Sequence, residues 1–306
     1  MSKIGFIFPG QASQYVGMGS DLYANSDIAR KLYDTAGGIL GFDVKKVSFE
    51  GPEEELKQTR VTQPAIFVHS VIVSRLLSGK MNRPDCVAGH SLGEYSALVA
   101  ANALDFEDAL KIVKRRGELM QTAGERNPGT MAAIVGLSAD KVAEICRRAE
   151  KEGVVQPANY NSPQQIAVSG SVAGVEMAME LAKEEGAKRV IPLVVSGAFH
   201  SPLMEEAQTG LKNELDSADF RDAELPVYTN VMAEPAVEKA AIKDLLYKQL
   251  THPVRWTELI LNMISAGVDT FYEVGPGAVL TGLLKRIDRS ASCTAIGTFE
   301  QIDAIV

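Results

Sequence analysis

Apolar residues fall along this chain in two alternating rhythms: short unbroken runs, and longer stretches in which they recur every third or fourth position. The first kind reads as buried strand and the second as amphipathic helix. Lys3 to Phe8 is a run of the first kind, followed by the polar loop Pro9-Gly10-Gln11-Ala12-Ser13-Gln14. Ser26 opens a helix expected to reach Gly37-Gly38. A second helix should begin near Thr62, with Pro64 in its first turn, and stop at Gly79; it is apolar on most sides from Ile66 to Leu77 and belongs in the interior. Cys86, Val87 and Ala88 form another short run, after which Leu92, Tyr95, Leu98 and Val99 recur at helical spacing, so strand gives way to helix at Ser91. Asp105 starts a further helix carrying Phe106, Ala109, Leu110, Ile112, Val113, Leu119 and Met120.

Between Gly124 and Gly129 the pattern breaks and its grain changes. Strand Met131 to Leu137, a helix capped by Ser138, strands Val154 to Tyr160 and Gln165 to Gly170 around the turn Asn161-Ser162-Pro163, a helix from Ser171 to Gly186 and strand Arg189 to Val195 follow in turn. The order βαββαβ is the ferredoxin-like unit. Its ends lie close together, so it can be inserted into another domain without breaking it. The expected division is an insertion at 128–196 within an outer domain made of 1–127 and 197–306. The outer domain resumes with a strand at Val227 to Val231, helices at Ala240 to Leu250 and Trp256 to Ala266, a strand at Asp269 to Val274, a helix at Ala278 to Ile287 and a last strand at Thr294 to Phe299. Strands alternating with helices on both sides of the insertion predict an α/β fold with a mostly parallel sheet.

The candidate chemistry sits where the period changes. Gly89-His90-Ser91-Leu92-Gly93 is G-x-S-x-G between strand and helix, the setting in which flanking glycines permit a tight turn that exposes a serine hydroxyl. The free N–H groups of the following helix face the position where an oxyanion would form. A chance glycine turn with a capping serine is the plain alternative; the strand-to-helix context favours the nucleophile. A serine needs a base. Of the four histidines, His90 diverges from its neighbour at an elbow, His69 belongs to an apolar helix as a satisfied core residue, and His252 sits in a turn before Pro253. His200, in the small-residue loop Ser196 to Pro202, is the base chosen here. No acid in a persuasive loop precedes it, which leaves a backbone carbonyl or amide to orient the ring. Arg116 has Ile112, Val113, Leu119 and Met120 as helical neighbours, whereas Arg115 has Lys111 and Glu118. A guanidinium on an apolar face needs an anion, either an internal carboxylate or that of a ligand.

Composition narrows the classes. A net charge of −8 over 306 residues argues against a nucleic-acid scaffold, and 46% hydrophobic residues describe an ordinary globular chain. Three scattered cysteines without metal spacing suggest reduced thiols. With no signal-like start and no apolar run of spanning length, the expectation is a soluble cytoplasmic protein without membrane or metal. Gly17-Met18-Gly19 lacks the third glycine of a dinucleotide loop, and no phosphate-loop lysine is present.

FPGQASQ at 8–14, GHSLGEYSALVAA at 89–101, Arg116-Gly117, ANYNSPQQ at 158–165, GAFHSPLM at 197–204 and EVGPGAVLTGL at 273–283 together resemble malonyl-CoA:acyl carrier protein transacylases, from end to end and in order. The resemblance implies an α/β-hydrolase-like large subdomain with a ferredoxin-like insertion, and a serine–histidine dyad, Ser91 and His200, whose histidine is held by a main-chain carbonyl. It assigns Arg116 to the malonyl carboxylate, the backbone N–H groups of Gln11 and Leu92 to the oxyanion hole, and Gln249 to a place beside the histidine; Asn159 and Asn161 lie in a family motif without an assigned role. Position 12 departs, since the family more often has glycine where this chain has Ala12, which puts the geometry of the Gln11 loop in question. Phe199 resembles members that choose malonyl over branched units. The implied reaction is a two-step exchange through a malonyl-serine, with malonyl-CoA as donor, the phosphopantetheine thiol of acyl carrier protein as acceptor, coenzyme A as product, no bound cofactor and a monomer as the working unit. Lys188 with Arg189, and Lys285 with Arg286 and Arg289, are candidate docking patches for an acidic carrier. A serine hydrolase or thioesterase, and a non-catalytic carrier-binding module, are the rival readings.

Overall fold

The computed structural model describes residues 2–305, so Met1 and Val306, the ends of the expected outer domain, lie outside it. Among the described residues, ten strands form two sheets: β1 Lys3–Phe8, β2 Cys86–Gly89, β3 Gly129–Val135, β4 Val155–Ser162, β5 Gln165–Ser171, β6 Arg189–Leu193, β7 Val227–Tyr228, β8 Pro235–Ala236, β9 Val268–Val274 and β10 Ser292–Ile296. The first sheet has the order β10-β9-β1-β2-β7-β8 and is parallel except for β7 against β8. Phe6 and Phe8 point to one face of β1 and pack with helix Thr59–Leu77; Ile7 points to the other and packs with Ala88, Trp256 and Ile260. Burial on both faces explains the unbroken apolar run of β1. The second sheet, β4-β5-β3-β6, is antiparallel throughout, with helices Ala139–Ala149 and Val172–Glu184 packed on it.

Several expected boundaries shift for identifiable reasons. The helix capped by Ser26 passes through Gly37-Gly38 to Leu40 and stops at Gly41, which has φ +78° and donates its N–H to the Gly37 carbonyl. Two helical glycines cost about 1 kcal/mol each, and the buried Leu40 beyond them favours continuation. The next long helix starts at Thr59, because the Gln58 carbonyl accepts from both Val61 and Thr62, so Pro64 lies inside it. The expected strand 227–231 is only two residues long. The chain turns at Ala233, φ +59°, into the short partner β8, which frees Thr229 and Asn230 from the ladder. β4 runs through Ser162, and β10 ends at Ile296, where Thr298 and Gln301 form a capping box for helix Phe299–Asp303. Short helices at Ser20–Asn25, Val44–Phe49 and Glu53–Leu56 carry too few residues to show a period. None of the described helices is long and apolar enough to cross a membrane.

Candidate active site

β2 delivers the chain to Ser91 at the carboxyl edge of the parallel sheet, and helix Gly93–Ala100 carries it away. Ser91 sits at φ +51°. A left-handed backbone at a residue with a side chain costs about 1–3 kcal/mol and persists only where its surroundings hold it. The surroundings are visible. A Cβ on Gly89 would overlap the Gly93 backbone, and one on Gly93 would overlap the Phe8 carbonyl oxygen, so the turn is closed against itself and against the end of β1. Asn230 clamps it from the neighbouring strand: its Oδ1 accepts from the Ser91 N–H at 2.7 Å and its Nδ2 donates to the Gly89 carbonyl at 2.6 Å.

His200, at φ +57°, brings Nε2 to 2.8 Å from Ser91 Oγ, while its Nδ1 lies 2.8 Å from the main-chain carbonyl of Gln249. The carbonyl accepts a hydrogen bond from Nδ1–H, which leaves the Nε2 lone pair facing the hydroxyl. Among the described residues no carboxylate bonds the ring. Gln156 fixes the loop by donating to the His200 and Thr251 carbonyls. Burial first, and the nearby Arg116 cation second, lower the His200 pKa to about 3, so the ring is neutral and basic at its serine-facing nitrogen.

Arg116 is fully buried. Its Nη1 donates to Gln63 Oε1 at 2.7 Å, and its Nη2 to Gln249 Oε1 at 2.8 Å and to Ser91 Oγ at 3.0 Å. Its Nε has no partner, and the Tyr95 ring lies 5.7 Å away. Among the described residues no carboxylate comes within ion-pair distance, so the internal Asp or Glu that the sequence allowed is not what holds it. Glu94, also buried, spends its Oε2 on the Asn230 N–H at 3.0 Å and on Gln249 Nε2 at 2.9 Å; burial, countered by those bonds and by Arg116, raises its pKa to about 7.

The Gln11 and Leu92 N–H groups meet no acceptor among the described residues. The Gln11 loop lies tight on the elbow, since a Cβ on Gly10 would overlap the His90 carbonyl oxygen. Ala12 takes φ +82°, the conformation that glycine would take without strain, and its N–H is held by Gln14 Oε1 at 2.8 Å. The Gln249 side chain does not touch His200; its main chain does, while its amide joins Ser91, Glu94 and Arg116. Thus Ser91, His200, Arg116 and Gln249 meet, with Gln11 and Leu92 at the rim. His90 Nε2 lies 2.9 Å from Asn161 Oδ1 and packs on Trp256, away from the dyad. Asn159 bridges to Val254 through the backbone. His69 is buried as expected, beside the Gly297 backbone, and burial lowers its pKa to about 4. His252 is exposed and turns back onto the Lys248 carbonyl. Of the basic patches, Arg286 already donates to Gln165 at 2.7 Å. Sequence reasoning passed over Gln63, Glu94, Asn230 and Gln156; the one available sign was that Asn230 lies just beyond the carboxyl end of a strand, at the ligand-binding edge of the sheet.

An oxygen placed to attack, a base beside it and donors turned toward a developing negative charge are what acyl transfer through a serine ester requires, and the acyl transferase domain is the family whose model matches, over residues 5–302. The chain is 48% identical over 307 residues to the malonyl CoA-acyl carrier protein transacylase of Bacillus subtilis strain 168, covering 100% of this chain and 97% of that one. It belongs to the malonyl CoA-acyl carrier protein transacylase family. The solved transacylase of Coxiella burnetii superposes with a TM-score of 0.96 at 40% identity, covering 99% of this chain and 97% of that one. A malonyl-transacylase solved in complex with its type II PKS acyl-carrier protein superposes with a TM-score of 0.95 at 38% identity, covering 99% of each chain.

Proposed function

We propose that this chain moves a malonyl group from malonyl-CoA to the phosphopantetheine thiol of an acyl carrier protein, in fatty-acid or polyketide synthesis, through a malonyl ester on Ser91. The observation that carries the reading is Arg116: a buried guanidinium without a carboxylate in ion-pair distance among the described residues, 3.0 Å from the serine oxygen. His200 Nε2 takes the Ser91 proton as Oγ attacks the thioester carbon. The Gln11 and Leu92 N–H groups receive the charge that forms on the carbonyl oxygen, and the coenzyme A thiolate leaves with the proton from His200. The carrier thiol then gives its proton to His200, attacks the ester and restores Ser91. Throughout, the Gln249 carbonyl keeps Nδ1 protonated and the ring in one tautomer. Arg116 grips the free carboxylate, which distinguishes malonyl from acetyl.

The strand order of the second sheet is that of a ferredoxin-like unit, and it supports reading 128–196 as an inserted subdomain between 1–127 and 197–306 of an α/β-hydrolase-like body. Three free cysteines fit a reducing, cytoplasmic setting. Incubation with malonyl-CoA should add one malonyl group by intact mass, Ser91→Ala should add none, and phosphopantetheinylated carrier should remove the group and acquire it. An adduct on Ser91→Ala, or release of free malonate with the carrier left unloaded, overturns the proposal, the second outcome in favour of a hydrolase.

A further inference from the structure

One buried group next to the site has no part in the steps above. Glu94 follows Ser91 by three residues, on helix Gly93–Ala100, and its Oε2 accepts from two elements from elsewhere in the chain: the Asn230 N–H after β7 and the Gln249 amide at the end of helix Lys239–Gln249. An amide side chain has a donor end and an acceptor end, and which way it faces is decided by its neighbours. The Gln249 Nε2 lies between two acceptors, the Ser91 carbonyl at 3.0 Å and Glu94 Oε2 at 2.9 Å. That arrangement leaves Oε1 as the end that faces Arg116, whose Nη2 donates to it at 2.8 Å. Turned over, the amide would set its NH2 against the guanidinium NH2, donor against donor, and the acceptor that fixes the position of Arg116 would be gone.

We propose that Glu94 is a positioning residue for substrate selection, locking the Gln249 amide so that its oxygen holds Arg116 in register for the malonyl carboxylate. The proposal rests on the malonyl-transfer reading and adds a residue to it. The route to Arg116 runs through the amide, whereas His200 donates its Nδ1 proton in a hydrogen bond to the Gln249 main-chain carbonyl, which the helix end holds whatever the side chain does; the amide's other bond, to the Ser91 carbonyl, bears on both thioesters alike and leaves their ratio unchanged. Asn230 keeps its two bonds to the elbow through its own side chain. Loss of Glu94 therefore acts on the arm that reads the carboxylate and largely spares the one that attacks the thioester.

The experiment is single-turnover acylation of the full chain, followed by intact mass, with malonyl-CoA and acetyl-CoA in parallel, on wild type, Glu94→Ala, Glu94→Gln, Gln249→Leu and the double variant Glu94→Ala/Gln249→Leu. The quantity read is the malonyl-to-acetyl ratio of rates. That ratio should fall on the order of ten-fold in Glu94→Ala and in Gln249→Leu, and no further in the double variant, since both remove the same link. Glu94→Gln keeps an acceptor oxygen and should stay within about three-fold of wild type. Equal losses with both thioesters, additive losses in the double variant, or a Glu94→Gln as impaired as Glu94→Ala each overturn the proposal, the last by showing that the charge and not the acceptor matters. Should Glu94→Ala fail to fold, Gln249→Leu and Glu94→Gln still decide it. A wild type that takes no malonyl group overturns the malonyl reading itself.

Discussion

Replacing Arg116 by methionine separates recognition of the carboxylate from acyl chemistry. Methionine keeps an unbranched apolar stem among Ile112, Val113 and Met120 and removes the guanidinium. Hydrogen bonds to charged groups contribute about 1.5–3 kcal/mol each, and a bidentate grip on malonyl makes two of them. Part of that is already spent in the free enzyme, where Nη2 donates to Ser91 Oγ and Gln249 Oε1, so substrate exchanges contacts as well as adding them. A net of roughly 3–4 kcal/mol corresponds to a loss of a few hundred-fold in kcat/KM for malonyl-CoA. Acetyl-CoA has no carboxylate to lose and should change by less than about three-fold. The fold should survive: a costly buried cation disappears, while Gln63 Oε1 and Gln249 Oε1 lose a donor at about 1–3 kcal/mol each. Stopped-flow release of coenzyme A with each thioester, alongside a thermal melt, measures all three quantities. Equal losses with malonyl-CoA and acetyl-CoA would refute the assignment and make Arg116 a structural support for the serine.

Four other outcomes follow from the same geometry. Because the His200 pKa is lowered to about 3, the ring stays a neutral base below pH 6.5; acylation should be flat from about pH 7.5 to 5.5, and a half-loss centred near 6.5 would contradict this. The same depression, with His69 lowered to about 4 and His90 lowered by burial, means that the unfolded chain binds protons that the folded one refuses; Glu94, raised to about 7, acts in the opposite sense, and the three histidines outweigh it, so stability should fall as pH drops below 6.5 in denaturant titrations. Gly93→Ala drives a Cβ into the Phe8 carbonyl and should cost about 3 kcal/mol or more with acylation abolished; an unchanged melting point would show that the elbow has room. Ala12→Gly relieves about 1 kcal/mol of left-handed strain against a smaller entropic penalty, so the denaturation midpoint should hold or rise with acylation retained, and a fall would mean that the Ala12 methyl group packs.

What the sequence disclosed followed from side chains with a pattern around them. Ser91 stood at a change of period, Arg116 on an apolar face, and the strands of the second sheet between capping serines. Apart from Glu94, what stayed hidden was either main chain or neutral amide. The Gln249 carbonyl that holds His200 has no residue-type signature, since every residue carries a carbonyl. Asn230 and Gln63 read as ordinary polar residues until folding brings Asn230 beneath the elbow and Gln63 against Arg116. The overlong strand at 227–231 has the same origin: Asn230 leaves the ladder for the elbow and Glu94, while Thr229 turns its N–H and hydroxyl to the Glu234 carbonyl in the turn before β8. His69 was legible as a core residue, because its apolar neighbours on the helix show burial.

The position of β1 governs the order in which this protein can be made. Its two neighbours are β2, synthesised soon after it, and β9, which leaves the ribosome only near the end. Until residues 268–274 emerge, the middle of the parallel sheet has an open edge of unpaired backbone, while β3 to β6 pair only with one another and can close during translation. Gln249, whose carbonyl orients His200 and whose amide holds Arg116, also arrives late, so a nascent chain carries its nucleophile long before it carries an enzyme.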